Sequence, residues 1–264
     1  MIFHDGQPRA KKSLGQNFLQ DANIARKIVA ALQAGPGDRV VEIGPGPGAL
    51  TRIILERPPA SLLLVEKDRH YAGARMADGG AQVLLADALD IAWERFPGPW
   101  KCIGNLPYNV ASPLMWDLFS QSRGLVRAVF MIQKEVGLRI TARPGTSAYG
   151  ALSVWIQSFM VPRLEFIVPP HVFKPRPKVD SAVLSFVPLP EEATRTFEPQ
   201  QLAATLKACF QQRRKQLGGI ARSQGNTATL LEDLGIAPTL RPENLEPEDF
   251  HRLSRAGFCR QLRA

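Results

Sequence analysis

Arg39-Val40-Val41-Glu42-Ile43-Gly44-Pro45-Gly46-Pro47-Gly48, followed by Ala49-Leu50-Thr51-Arg52-Ile53-Ile54-Leu55, is the stretch from which the architecture can be read. Arg39 to Ile43 is an apolar run of strand length and reads as a buried strand. It runs straight into a glycine turn, after which Ala49 to Leu55 reads as a helix. Strand, glycine turn and helix form the nucleotide-cradling arrangement of doubly wound α/β folds. Glycines let the backbone approach a ligand, and the start of the following helix attracts a negative group. As a dinucleotide fingerprint the turn is poor: Gly44, Gly46 and Gly48 give GxGxG with no glycine at the sixth position. With Glu42 ahead of it and prolines in its gaps, this variant suits a carboxypropyl amino-acid tail better than a pyrophosphate. That points to S-adenosylmethionine.

The strands downstream follow the same plan. Leu62 to Val65 reads as a second strand ending in Glu66, roughly 20 residues past the first glycine, the spacing of an acid that accepts both ribose hydroxyls. A third, Gln82 to Ala86, ends in Asp87, which can accept from an adenine amine while Ala88 packs beside the ring. The fourth, Lys101 to Gly104, delivers Asn105-Leu106-Pro107-Tyr108. Ligands of open α/β sheets lie beyond the carboxyl ends of the strands, so Gly44, Glu66, Asp87 and Asn105 are expected along one edge.

That last tetrapeptide has a chemical use. The Asn105 side-chain carbonyl and the Leu106 backbone carbonyl, which precedes Pro107, can both accept from one amino group, and Tyr108 offers a flat face for a base. An exocyclic base amine is a weak nucleophile because its lone pair is delocalised into the ring. Two acceptors holding its N–H bonds favour the pyramidal form, stabilising what develops in the transition state without a strong general base. Four residues alone would not outweigh an ordinary Asn-Pro turn beside a core tyrosine; the four-strand order does.

The totals set the outer bounds. A chain of 264 residues, 45% hydrophobic, can hold one large domain and a small appendage. The division is expected where composition changes at Pro188-Leu189-Pro190, giving a Rossmann-like domain over 1–188 and a small helical domain over 189–264. Asp21 is expected to cap a helix from Ala22 to Leu32, Val126 to Ile132 to form a fifth strand, and Gln133 to Ala142 a polar helix. Met160 to Val168 and Ala182 to Val187 read as further strands, joined through a stiff, basic connection rich in proline. Apolar runs are of strand length, far short of a membrane span, and Met1 to Asp5 has no secretory h-region. Cys102, Cys209 and Cys259 are odd in number and lack metal-ligand spacing, so reduced thiols in a cytosolic protein are expected, and nothing demands a metal.

A net charge of +9 suggests a polyanionic partner. Lys11 and Lys12 open a basic segment that turns apolar at Gly15-Gln16-Asn17-Phe18-Leu19. Leu202 to Arg222 is helical in pattern and carries Lys207, Arg213, Arg214, Lys215 and Arg222 without acids, which favours phosphate contacts over a merely solvated face. Helices are also expected near 227–234 and 247–257.

Four segments together resemble the ribosomal RNA adenine N6,N6-dimethyltransferases, the KsgA family. They are Lys-Ser-Leu-Gly-Gln-Asn-Phe-Leu (12–19), Val-Glu-Ile-Gly-Pro-Gly (41–46), Gly-Asn-Leu-Pro-Tyr-Asn (104–109) and Pro-Arg-Pro-Lys-Val-Asp-Ser-Ala-Val (175–183). The resemblance implies a Rossmann-like methyltransferase sheet with a small α-helical C-terminal domain, S-adenosylmethionine as methyl donor, and dimethylation of two adjacent adenosines in a hairpin near the 3′ end of small-subunit ribosomal RNA. By position, Asn17 and Leu19 would border the cofactor, Gly44 and Gly46 cradle its methionine tail, Glu66 hold its ribose, and Asp87 and Ala88 meet its adenine. Asn105 would serve both the cofactor side and the target amine, and with it Leu106, Pro107 and Tyr108 would receive the target base, Tyr108 and Phe173 resembling the family's aromatic pair around it. Pro47 is the one departure in the turn. The implied partner is the small ribosomal subunit precursor, met by a cytoplasmic monomer. A DNA adenine methyltransferase, a large-subunit methyltransferase conferring drug resistance, a nicotinamide-dependent dehydrogenase and a non-catalytic assembly factor are the alternatives that substrate and cofactor tests separate.

Overall fold

The computed structural model describes residues 15–194, 196–226 and 229–259. Lys11 and Lys12 therefore lie outside the described residues. The chain forms two compact units, one of residues 1–137 and 163–187, the other of 138–162 and 188–264. The chain crosses between the units at 137/138, 162/163 and 187/188, so residues 138–162 are part of the second unit. Helix α6 (Ala151–Phe159) is the reason: Val154, Trp155 and Ile156 have almost no exposed surface, and the helix packs against α8 (Pro199–Gln211) and α11 (Pro247–Arg255), partners far along the chain.

The first unit is built on a seven-stranded sheet. In chain order its strands are β2 (Arg39–Ile43), β3 (Ser61–Glu66), β4 (Gln82–Leu85), β5 (Trp100–Asn105), β6 (Leu125–Gln133), β7 (Met160–Val168) and β9 (Ser181–Pro188), and their spatial order is β4-β3-β2-β5-β6-β9-β7. Strands β4, β3, β2, β5 and β6 run parallel, and β9 is antiparallel to β6. A separate two-residue ladder joins β1 (Phe18–Leu19) to β8 (Phe173–Lys174), with Phe18 opposite Lys174 and Leu19 opposite Phe173.

Local chemistry sets these elements. Helix α1 (Ala22–Leu32) starts where the Asp21 carboxylate accepts the Asn23 and Ile24 N–H groups at 2.8 and 3.0 Å. It lays Ala25, Ile28 and Leu32 against the sheet, and full burial of each of the two larger side chains is worth about 1.5–3 kcal/mol. Strands β2, β3 and β5 are buried along most of their length, as parallel strands covered on both faces must be. Gly104 in β5 is a packing requirement: a Cβ there would stand 2.7 Å from the Ile43 carbonyl oxygen on β2.

The second unit is helical. Besides α6, α8 and α11 it contains α9 (Leu217–Ser223) and α10 (Thr229–Asp233). Phe210 stacks on Phe250 at 5.6 Å, and Phe197 stacks on His251 at 4.1 Å. Ser158 Oγ donates to the Val154 carbonyl, so at the 2.8 Å His251–Ser158 contact it is the His251 Nε2 that donates. Burial holds that imidazole down at about 4, neutral at ordinary pH.

The expected helix over 202–222 is broken. Helix α8 ends at Gln211, and α9 begins at Leu217 after an extended Gln216. Gly218 and Gly219 weaken any continuation, and Arg213 in the break is claimed by other partners described below.

Candidate active site

The carboxyl ends of β2, β3, β4 and β5 lie side by side, since Ile43 is paired with both Val65 and Gly104, and Glu66 with Leu85. A cavity opens beyond that edge. Gly44 and Gly46 line it from the turn after β2, Glu66 from the end of β3, Asp87 and Ala88 from the turn after β4, and Asn105 from the end of β5. Leu106, Pro107 and Tyr108 continue the wall, and residues 15–18 form a further side. No helix among the described residues is long and apolar enough to cross a membrane.

The glycine turn is shaped by backbone conformations that other residues rarely adopt. Gly44 and Gly46 have φ of 67° and 50°. A Cβ on Gly44 would meet no protein atom within 4 Å, so its place is open space beside the cavity, whereas one on Gly46 would come within 3.2 Å of the Phe18 ring. Gly48 is closed off from below, because a Cβ there would sit 2.0 Å from the Arg75 guanidinium.

Three carboxylates surround the turn in different electrostatic states. Glu42 is 1% exposed and accepts the Thr51 hydroxyl at 2.7 Å. Burial pushes it up to about 7 against the opposing pull of Thr51 and the Arg75 charge. Glu66 is raised above its ordinary value by burial, though its two oxygens accept the Asp68 N–H at 2.8 Å and the Gly46 N–H at 3.0 Å. Those two bonds fix the carboxylate at the cavity wall and tie it to the glycine turn. Burial also pushes Asp87 upward, but its ion pair with Lys67 and the 3.1 Å bond from the Leu89 N–H hold it below its ordinary value.

Asn105 is oriented from outside its own strand. Its side-chain NH2 donates to the Asn17 carbonyl at 3.0 Å, which leaves Oδ1 without a partner among the described residues. The Leu106 N–H continues the ladder to Met131, while no described residue donates to the Leu106 carbonyl. The following proline has no N–H, and its own carbonyl instead receives the N–H groups of Val110 and Ala111 at the start of α4 (Ala111–Gln121). Tyr108 is half-buried, and its hydroxyl meets Ser181 Oγ at 2.9 Å, fixing the ring. The result is a pair of uncommitted acceptors next to an immobilised aromatic face.

Two expected residues are not on the cavity wall. Leu19 and Phe173 are both 5% exposed and packed in the hydrophobic core. Side chains alternate along a strand, and these two are paired across the β1–β8 ladder, so both turn inward together. Their neighbour Phe18 is the residue that lines the cavity, resting over Gly46 and edge-on to Tyr71 at 5.3 Å. The basic run is also less free than its composition implies. Arg213 donates to the Glu243 carboxylate at 2.7 Å and to the Ser147 carbonyl at 2.8 Å, and Lys215 to Gln212 at 3.1 Å. Arg214 and Arg222 are exposed. Lys67, which also lines the cavity, follows Glu66 at the strand end and is legible there; Gln16 and Phe18 lie in the segment 15–19, where only alternation could have identified them.

Comparison with known proteins adds the following. A family model described as ribosomal RNA adenine dimethylase matches residues 7–256. The ribosomal RNA small subunit methyltransferase A of Nitratidesulfovibrio vulgaris (strain DP4) is 58% identical over 258 residues, covering 94% of this chain and 97% of that protein. Its namesake from Oleidesulfovibrio alaskensis is 60% identical over 256 residues, covering 94% and 91%. Among solved structures, a dimethyladenosine transferase from Plasmodium falciparum superposes with a TM-score of 0.78 at 25% identity, over 91% of this chain and 98% of that one. The 23S rRNA methyltransferase ErmE shares the fold, with a TM-score of 0.67 at 23% identity over 91% and 99%.

Proposed function

Since the chain belongs to the ribosomal RNA adenine dimethylase family, we propose that it dimethylates N6 of two adjacent adenosines in a hairpin near the 3′ end of small-subunit ribosomal RNA. It is an S-adenosylmethionine-dependent methyltransferase acting on ribosomal RNA adenine. In this reading it works in the cytoplasm, as a monomer, on a precursor of the small subunit.

The cavity suits that cofactor. Gly44 and Gly46 would carry its amino-acid tail where a side chain would intrude, Glu66 would accept from the ribose, and Asp87 with Ala88 would meet the adenine. Asn17 reaches this site through its backbone carbonyl, whereas Leu19 supports it from the core. When bound, S-adenosylmethionine supplies an electrophilic methyl group.

The chain's own residues prepare the nucleophile. A paired base hides its N6, so the adenosine is turned out of its stack onto the Tyr108 face. Asn105 Oδ1 and the Leu106 carbonyl would accept its two N–H bonds and so free the lone pair from the ring; N6 would gain the methyl carbon as that carbon's bond to sulfur breaks, and would give up one proton to solvent. In the second round a single N–H remains to be held, and either acceptor can hold it. The Phe173 ring, buried beside Leu19, would support this site from the core.

The observation that carries this reading is the orientation of Asn105, whose amide hydrogens are directed to Asn17 while its oxygen is left uncommitted beside the Leu106 carbonyl. The test is transfer of labelled methyl groups to undermethylated small subunits, with mapping of the modified nucleosides. The wild type is expected to label two neighbouring adenosines. Asn105→Ala should reduce turnover by about 100-fold or more, the scale of losing an oriented transition-state partner, with cofactor affinity less affected. Near-normal turnover in that variant would refute the assignment.

A further inference from the structure

The second half of the basic, proline-rich connection between β7 and β9, running from β8 to β9, has no part in that chemistry. Both of its ends are fastened to the wall of the cavity. At one end Lys174 is paired with Phe18, which lines the cavity; at the other, Ser181 Oγ bonds the hydroxyl of Tyr108, which also lines it. The segment between them, Pro175-Arg176-Pro177-Lys178-Val179-Asp180, must therefore stand at the rim on the side of the target base.

Its charges are unevenly satisfied. Asp180, the only acid in the segment, is bound by the Lys134 ammonium at 3.0 Å, and its carbonyl accepts the Lys134 N–H at 3.0 Å. Arg176 and Lys178 are exposed and have no ion-pair or hydrogen-bond partner among the described residues. Their Cα atoms are no more than about 7 Å apart. Prolines on both sides of Arg176 fix two φ angles and restrict the residue before each ring, so little backbone entropy remains to be lost when a ligand is met. Two uncompensated cations on a pre-set backbone beside a base-binding face are suited to the phosphates next to a turned-out nucleotide.

From this juxtaposition we infer that Arg176 and Lys178 are positioning residues that grip the RNA backbone next to the target adenosine and so hold the base in register with Asn105 and Tyr108. The inference rests on the proposed activity on RNA. It differs from the expected role of the basic run in the second unit, where Arg213 is already engaged by Glu243.

The test uses the full-length protein and undermethylated small ribosomal subunits. Affinity is measured at several salt concentrations between about 50 and 200 mM for the wild type, the Arg176→Ala/Lys178→Ala double variant, and Arg176→Lys/Lys178→Arg. Each phosphate contact to a single strand contributes about 0.7 to the slope of log affinity against log salt. The alanine variant should therefore lose about 1.4 from that slope, and between those salt concentrations the wild type should weaken about 7-fold more than the variant. Its kcat/KM for the subunit should fall while its affinity for S-adenosylmethionine and its melting temperature stay as in the wild type. The charge-retaining variant should keep the wild-type slope. Arg176→Gln/Lys178→Gln provides a second neutral variant that leaves polar cover on the loop. An unchanged slope in both neutral variants, with the wild type methylating normally, would overturn the inference and leave the proposed activity standing. Failure of the wild type to methylate the subunits would instead bring down that activity and this inference with it.

Discussion

Glu42→Gln isolates the most strongly perturbed acid around the glycine turn. The glutamine is close to isosteric and can still accept the Thr51 hydroxyl, so packing and that bond are retained. What changes is the proton. In the folded chain burial raises Glu42 from its ordinary value near 4.5 to about 7. A raised acid binds its proton more tightly folded than unfolded, so its contribution is fully present below pH 4.5 and is lost as pH rises through 7. At 1.36 kcal/mol for each pH interval of one, that gap corresponds to about 3 kcal/mol. The wild type should therefore lose about 3 kcal/mol of unfolding free energy, relative to the glutamine variant, between pH 4.5 and pH 8. Urea unfolding of both proteins across that range, compared as the difference between them at each pH, reads this directly because other titrating groups cancel. The glutamine variant should be the more stable of the two at pH 8. A constant difference across the range would show that Glu42 stays ionised in the folded chain, with Arg75 and Thr51 outweighing burial.

Two further outcomes follow from the same geometry. Glu66→Gln leaves one side-chain oxygen for two backbone N–H donors, at Gly46 and Asp68, and removes the charged acceptor from the ribose, a loss of about 1–3 kcal/mol in binding. Calorimetry should show S-adenosylmethionine affinity reduced by about 5- to 150-fold, and wild-type affinity would remove Glu66 from the cofactor site. Tyr108→Ala should lose about 1–3 kcal/mol of base stacking in kcat/KM for the ribosomal substrate. Tyr108→Phe keeps the ring and loses only the Ser181 contact, about 1 kcal/mol, so equal losses in the two variants would argue against stacking.

How far the sequence carries depends on whether a feature is local. The strand–turn–helix at 39–55 needs only its own glycines and the apolar strand before them, and its neighbours in the sheet follow from the parallel order, so Gly44, Glu66, Asp87 and Asn105 could be placed at one edge from spacing alone. Phe173 could not be placed that way. Its inward turn is set by pairing with Leu19, more than a hundred residues earlier, and it was the unremarked Phe18 that alternation sent to the cavity. Arg213 is a similar case: its charge is plain in the sequence, but Glu243 is supplied by a turn that only the folded second unit brings near. The short helix α6 joins the helical unit although it precedes the last two sheet strands, because its burial is satisfied by α8 and α11, contacts with no signature in its own segment.

The stretch from Gly15 to Leu19 is fastened by two rungs to β8 and by the Gln20 N–H to the Val172 carbonyl. Side chains add to this: Gln16 donates to Asp68 at 3.4 Å, Phe18 meets Tyr71 edge-on, and Leu19 is packed in the core. The same stretch holds the Asn105 amide through the Asn17 carbonyl, so displacing it would free the asparagine as well. The aim of the asparagine is thus set by a backbone carbonyl borrowed from the far end of the chain, and any change that shifts residues 15–19 should be felt at position 105.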